Sequence, residues 1–148
     1  MPMSTRLLIL SCSQRKRPDS GLLPAIERYN GPPFQVLRKY LRTDPPNTPN
    51  MFILSAKFGL IAANEPIPDY DCRMTPSRAE ELRANTPQKV SQIVRDIRPS
   101  RIFLNLGKDY AKAIDHWNAP QSIWQLTFSD GPPGVRLAQL RQWLYETT

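Results

Sequence analysis

Four short apolar runs punctuate the chain: Leu7–Leu10, Met51–Leu54, Ile102–Leu106 and Ile123–Phe128. They are continuous or nearly so rather than alternating, the pattern of strands covered on both faces. Between them the period changes to that of helices. Phe34, Leu37 and Leu41 fall on one side of a helix over Phe34–Leu41. A second helical stretch, Pro76–Ile97, has Thr75 placed to cap it and Pro76 at its first position. Pro87 splits or kinks that stretch, and Val90, Ile93, Val94 and Ile97 share one face of the Lys89–Ile97 part. Helices are also predicted over Lys108–Trp117 and Val135–Tyr145. Strands alternating with helices predict a single α/β domain with a mostly parallel sheet of about four or more strands.

Composition tightens this reading. Of the 148 residues, 40% are hydrophobic and 22% charged, a globular balance. One domain is expected at this length. The 16 prolines exclude a long coiled coil or an all-helical bundle, because an interior proline costs a helix about 3 kcal/mol. No apolar run approaches the ~20 residues that cross a bilayer, and Leu7–Leu10 is too short for a signal-peptide core. The expectation is therefore a cytoplasmic protein without a membrane partner. Cys12 and Cys72 are then read as free thiols. One histidine, His116, and two distant cysteines offer no zinc spacing, and no cofactor is expected. The standard phosphate-loop signatures are absent.

The net charge of +7 is concentrated. Residues 1–42 hold Arg6, Arg15, Lys16, Arg17, Arg28, Arg38, Lys39 and Arg42 against only Asp19 and Glu27, a segment of +6. Arginine outnumbers lysine 14 to 6, and arginine suits bidentate phosphate contacts. Such asymmetry points to a nucleic acid or a phosphorylated nucleoside ligand, or else to a solvated basic surface.

Candidate chemistry collects at the strand exits, where open α/β sheets bind ligands. The first run leads into Ser11, Cys12, Ser13, Gln14, Arg15 and Lys16. The second leads into Ser55, Ala56, Lys57, Phe58 and Gly59. The third ends at Asn105, followed by Gly107, Lys108 and Tyr110. The fourth leads through Thr127, Ser129, Asp130 and Gly131 into Pro132-Pro133-Gly134 and the last helix. All four could share one polar pocket, with helix N-termini supplying N–H donors for an anion. Cys12 reads either as a small packed thiol or as a nucleophile activated by nearby cations. Tyr29-Asn30-Gly31 is a turn in which Gly31 could take positive φ. Pro66–Met74 is a proline-stiffened loop carrying Tyr70 beside Asp69 and Asp71, which either clamps a base or sugar or packs Tyr70 into the core.

In order, the chain reads strand-S-C-S, Y-N-G-x-x-F, I-L-S-A-K-F-G-L followed by P-x-x-D-Y-D, and L-N-L-G-x-D-Y. This order resembles the YaaA family of peroxide-stress proteins and its small relatives, from Leu7 to about Leu144. The resemblance implies an α/β fold with a cleft and a DNA-binding role in stress response or DNA maintenance. In larger members a long helical insertion associated with DNA contact precedes the Y-x-G motif, where this chain has only Gln14–Arg28. It implies a cleft of Ser11, Cys12, Ser13, Tyr29, Gly31, Ser55, Lys57, Gly59, Tyr70, Asp71, Asn105 and Tyr110. Two functions follow. One is a nucleic-acid-binding protein. The other is an enzyme on a nucleotide, nucleoside or modified base, acting for instance by N-glycosidic cleavage. In the second, Asp71 would be a general base or oxocarbenium stabiliser, Tyr70 a stacking platform, and Lys57 with Arg15 or Lys16 the phosphate ligands.

Overall fold

The computed structural model describes residues 5–146. Its elements, in chain order, begin with β1 (Arg6–Ser11), β2 (Leu23–Pro24), α1 (Ala25–Arg28) and α2 (Pro32–Leu41). Then come β3 (Asn50–Ser55), β4 (Gly59–Ala62), β5 (Pro66–Ile67), α3 (Pro76–Arg83) and α4 (Thr86–Ile97). The chain closes with β6 (Arg101–Asn105), α5 (Lys108–Ala111), β7 (Gln125–Phe128) and α6 (Pro133–Tyr145). Five strands form one sheet in the order β4-β3-β1-β6-β7. All of its pairs are parallel except the antiparallel β3–β4 hairpin. β2 and β5 form a small separate ribbon.

The central strands are buried on both faces, as their unbroken apolar runs require. Leu8, Leu10, Ile53 and Phe103 face a core shared with Phe34, Leu37 and Tyr40 of α2 and Leu140, Trp143 and Leu144 of α6. Leu7, Ile9, Leu54, Ile102 and Leu104 face the opposite core, with Val90 and Val94 of α4. Helices therefore cover both faces of the sheet. The crossover from β1 leads to β3 on one side, and the chain then returns to β6 on the other. The gap between the ends of β1 and β6 is thus the point where the strand order reverses, the place where such sheets bind ligands.

Some elements follow the sequence expectation and others differ from it, each for a physical reason. Thr75 caps α3 by accepting a bond from the Arg78 N–H at 3.1 Å, and Pro87 starts α4 in a position where a proline needs no donor. α5 covers only Lys108–Ala111 of the predicted Lys108–Trp117. The chain then turns so that Ala113 and Ile114 insert into the core. β4 was not predicted. Its hairpin depends on Gly59 at φ +76°, a conformation that favours glycine.

Part of the basic first segment is engaged by the fold itself. Arg28 is fully buried and donates to the carbonyls of Arg17, Asp19, Gly21 and Ile67 at 2.7–3.4 Å. Arg6 donates to the carbonyls of Trp143 and Asn47 and to the Tyr40 hydroxyl, and lies over the Trp143 ring. Arg38 holds the carbonyls of Ile26 and Tyr29 and the Asn30 side chain. Arg17 pairs with Asp19 and Glu27. Among the described residues no helix is long and apolar enough to cross a membrane.

Candidate functional site

A cavity of about 460 Å³ opens at the carboxyl ends of β1 and β6. The first exit contributes Ser11, Cys12 and Ser13, and the third contributes Asn105, Gly107 and Tyr110. The start of α2 brings Gly31, Pro32, Pro33 and Phe34. The start of α6 brings Pro133, Gly134, Arg136 and Leu137. Proline, Phe34 and Leu137 make walls of carbon, while the hydroxyls, the Asn105 side chain, the thiol and the guanidinium supply scattered polar contacts.

Short hydrogen bonds fix this floor. Ser11 Oγ accepts from the Gly107 N–H at 3.0 Å and donates to the Asn105 carbonyl at 3.3 Å, tying the two strand exits together. Ser13 Oγ accepts from the Gly31 N–H at 3.1 Å and donates to the Arg15 carbonyl at 2.6 Å. Gly31 does not adopt the positive φ that the sequence allowed; its φ is −72°. Its smallness is needed for contact instead, since a Cβ there would lie 2.8 Å from the Ser13 Cβ. Cys12 Sγ lies 3.1 Å from the Tyr110 hydroxyl. Burial, together with the neighbouring Cys12, pushes the Tyr110 phenol well above its ordinary value, so it stays protonated.

The expected single pocket is divided in two. The second exit forms a cluster beside the cavity, centred on Tyr70. The Tyr70 hydroxyl meets those of Tyr29 at 2.5 Å and Ser55 at 3.0 Å. Ser55 Oγ also accepts from the N–H groups of Lys57 and Phe58, which shapes the turn before β4. The Lys16 and Lys57 ammonium groups stand 4.4 and 5.5 Å from the Tyr70 ring centroid. Burial pushes Tyr29 up to about 12 and raises Tyr70 as well, so both phenols are neutral. Tyr70 is half-buried against Phe58 and Tyr29, so its ring is packed rather than offered as a free stacking face.

Other expected residues lie elsewhere. Asp71 is exposed and accepts from the Gln14 side chain at 3.1 Å, outside the cavity. Arg15 is exposed, and its carbonyl rather than its guanidinium serves the loop. Gly59 sets the β3–β4 turn, with the positions around its Cα facing Leu82 and Lys89. The fourth exit reaches the cavity through α6 and not through Thr127, Ser129 or Asp130. Cys72 is a second free thiol.

Arg136 was missed from the sequence, where it reads as one more solvated arginine on the last helix. Its sign is positional, because it lies in the first turn of a helix that follows a strand exit. A shallower hollow of about 320 Å³, flanked by Arg73, Lys108 and Asp109, adjoins the cavity along Gly107 and Tyr110. Among the described residues no group of three or more His, Cys, Asp or Glu side chains could hold a metal ion.

The comparison that decides the family covers nearly the whole fold: residues 7–142, from β1 into α6, match a family of unknown function, DUF6884. The chain belongs to the DUF6884 family. All the cavity residues lie within that matched span. No curated protein matches this DUF6884 chain. Its fold is similar to the crystal structure of AF0587, a protein of unknown function, with TM-score 0.57 and 13% identity. The alignment covers 99% of this chain and 47% of that one, so this DUF6884 chain spans about half the length of AF0587. At that identity the likeness is one of fold.

Proposed function

We propose that this protein binds a nucleotide unit in the cavity between β1 and β6. The unit is either a free nucleotide or the end or splayed base of a single strand. The make-up of the cavity carries this reading. About 460 Å³ falls within the ~300–1,000 Å³ of small-ligand sites. Carbon walls at Pro32, Pro33 and Leu137 suit a flat base, and Ser13 and Asn105 can read its edge or the sugar. The resemblance to YaaA-type proteins rests on sequence motifs and agrees with a nucleic-acid ligand.

Binding to duplex DNA along a basic face has less support. Arg6, Arg28 and Arg38 are occupied by main-chain carbonyls, and Arg17 is ion-paired. Arg73 and Lys108 flank the adjoining hollow together with Asp109. Isothermal titration with nucleotides, single-stranded oligonucleotides and a duplex tests this. Saturable binding of the first two, weakened by Leu137→Ala, is the expected result. Duplex binding alone, with a steep salt dependence, would overturn it.

The enzyme reading has one observation in its favour, the Cys12–Tyr110 contact inside the same cavity. It replaces Asp71, which lies outside. Turnover of a nucleotide or modified-base substrate that persists unchanged in Cys12→Ser would remove Cys12 from the chemistry.

A further inference from the structure

We infer that Arg136 is the anion anchor of the cavity and that the ligand carries a phosphate monoester beside its base, as a nucleoside monophosphate does. The inference rests on the nucleotide reading and deepens it.

Arg136 lines the cavity and is mostly withdrawn from water. Its Nε is fully buried and makes no hydrogen bond. Among the described residues it forms no ion pair. Nη1 lies 3.6 Å from where a Cβ on Gly107 would stand, so the guanidinium reaches from α6 across to the exit of β6. A partly desolvated guanidinium without a partner is costly, and an incoming anion relieves that cost through charge-assisted bonds.

The contrast with the other half-buried or buried arginines is informative. Arg6, Arg28, Arg38 and Arg101 each bond carbonyls or a carboxylate through their Nη groups, although the Nε atoms of Arg6 and Arg28 are buried without a partner like that of Arg136. Arg6 and Arg38 line hollows too, but with their guanidinium groups bonded. The Arg136 guanidinium has no bonded partner among the described residues, and no carboxylate lines its cavity. The rest of the wall is consistent with an anion. α6 begins there with no side-chain cap, and the N–H groups of Gly134 and Val135 in its first turn are left for an acceptor. Gly107 keeps the approach open, with no side chain between Arg136 and Tyr110.

Calorimetric titration of four nucleosides, their 5′-monophosphates and inorganic phosphate, into wild type and Arg136→Gln, tests the inference. Arg136→Lys serves as a charge-retaining variant, and unfolding midpoints of all three proteins show that they fold. The expected result is monophosphate binding about ten- to a hundredfold tighter than the matching nucleoside. Arg136→Gln should lose that advantage while keeping nucleoside affinity, and Arg136→Lys should restore part of it. Equal loss of nucleoside and monophosphate affinity in Arg136→Gln would overturn the anchor while leaving the nucleotide reading intact. Monophosphate binding unchanged by Arg136→Gln would do the same. Binding of inorganic phosphate without any nucleoside contribution would overturn the nucleotide reading instead.

Discussion

Replacing Gly31 by alanine isolates the close approach on which the cavity floor is built. Gly31 has φ −72° and ψ 171°, which alanine adopts freely, so any cost is steric. The new methyl would meet the Ser13 Cβ at 2.8 Å, an atom next to the backbone that cannot swing away. Overpacking of this kind costs about 1–3 kcal/mol. Restricting the unfolded chain returns about 0.4–1 kcal/mol. The net is a loss of up to about 2.6 kcal/mol, centred near ~1 kcal/mol, with a fall in Tm of about 2–4 °C for each kcal/mol at this size. Relief has to come from moving Ser13, which breaks the 3.1 Å bond from the Gly31 N–H. Two controls separate crowding from other causes. Gly134→Ala has nothing within 4 Å of its new methyl and lies in a helix, so it should be neutral or stabilising. Ser13→Gly removes the clashing atom, so the double variant should recover part of the loss, a coupling readable from a mutant cycle. Urea unfolding with a constant m-value is the assay. Gly31→Ala at wild-type stability, or additive effects in the double variant, would refute the reasoning.

The other predictions concern the arginine clamp and the tyrosine cluster. Arg28→Met should lower stability by about 2–4 kcal/mol, since several charge-assisted bonds to carbonyls are lost at once. At a temperature where that variant is folded, its affinity for single-stranded oligonucleotides should stay within twofold of wild type. Tyr70→Phe should cost about 1–2 kcal/mol by leaving the Tyr29 and Ser55 hydroxyls short of a partner. Tyr29 is raised from 10 to about 12, so the unfolded chain loses that proton first as pH rises. Stability is then complete below pH 10 and falls between pH 10 and about 12, which unfolding curves at stepped pH will show. An unchanged unfolding free energy across that window would contradict the burial of Tyr29.

How much could be read beforehand differs by element. β1, β3 and β6 were legible because each is a nearly unbroken apolar run, as doubly covered strands must be. β7, an edge strand reading Gln125-Leu126-Thr127-Phe128, showed only as the end of the Ile123–Phe128 run. β4 was not, because Leu60–Ala62 follows β3 after a tight turn and its period is indistinguishable from the end of the preceding motif. The six expected residues Ser11, Cys12, Ser13, Gly31, Asn105 and Tyr110 do meet in one cavity. Asp71, Lys57 and Tyr70 do not, because the loop carrying Tyr70 folds its phenol onto Ser55 and Tyr29. The arginines were the least legible. Nothing in one dimension distinguishes Arg28, folded back onto four carbonyls, from Arg136, left facing a cavity.

Nitrogen-edited NMR titration of the labelled protein with a nucleoside 5′-monophosphate tests the central claim most directly. The account predicts saturable shifts concentrated at Ser11–Ser13, Gly31, Asn105–Tyr110 and Gly134–Leu137, with the Arg136 side-chain Nε–H among the largest. Shifts confined to the outer basic residues Arg17, Lys39 and Arg42, with the cavity residues unmoved, would contradict it.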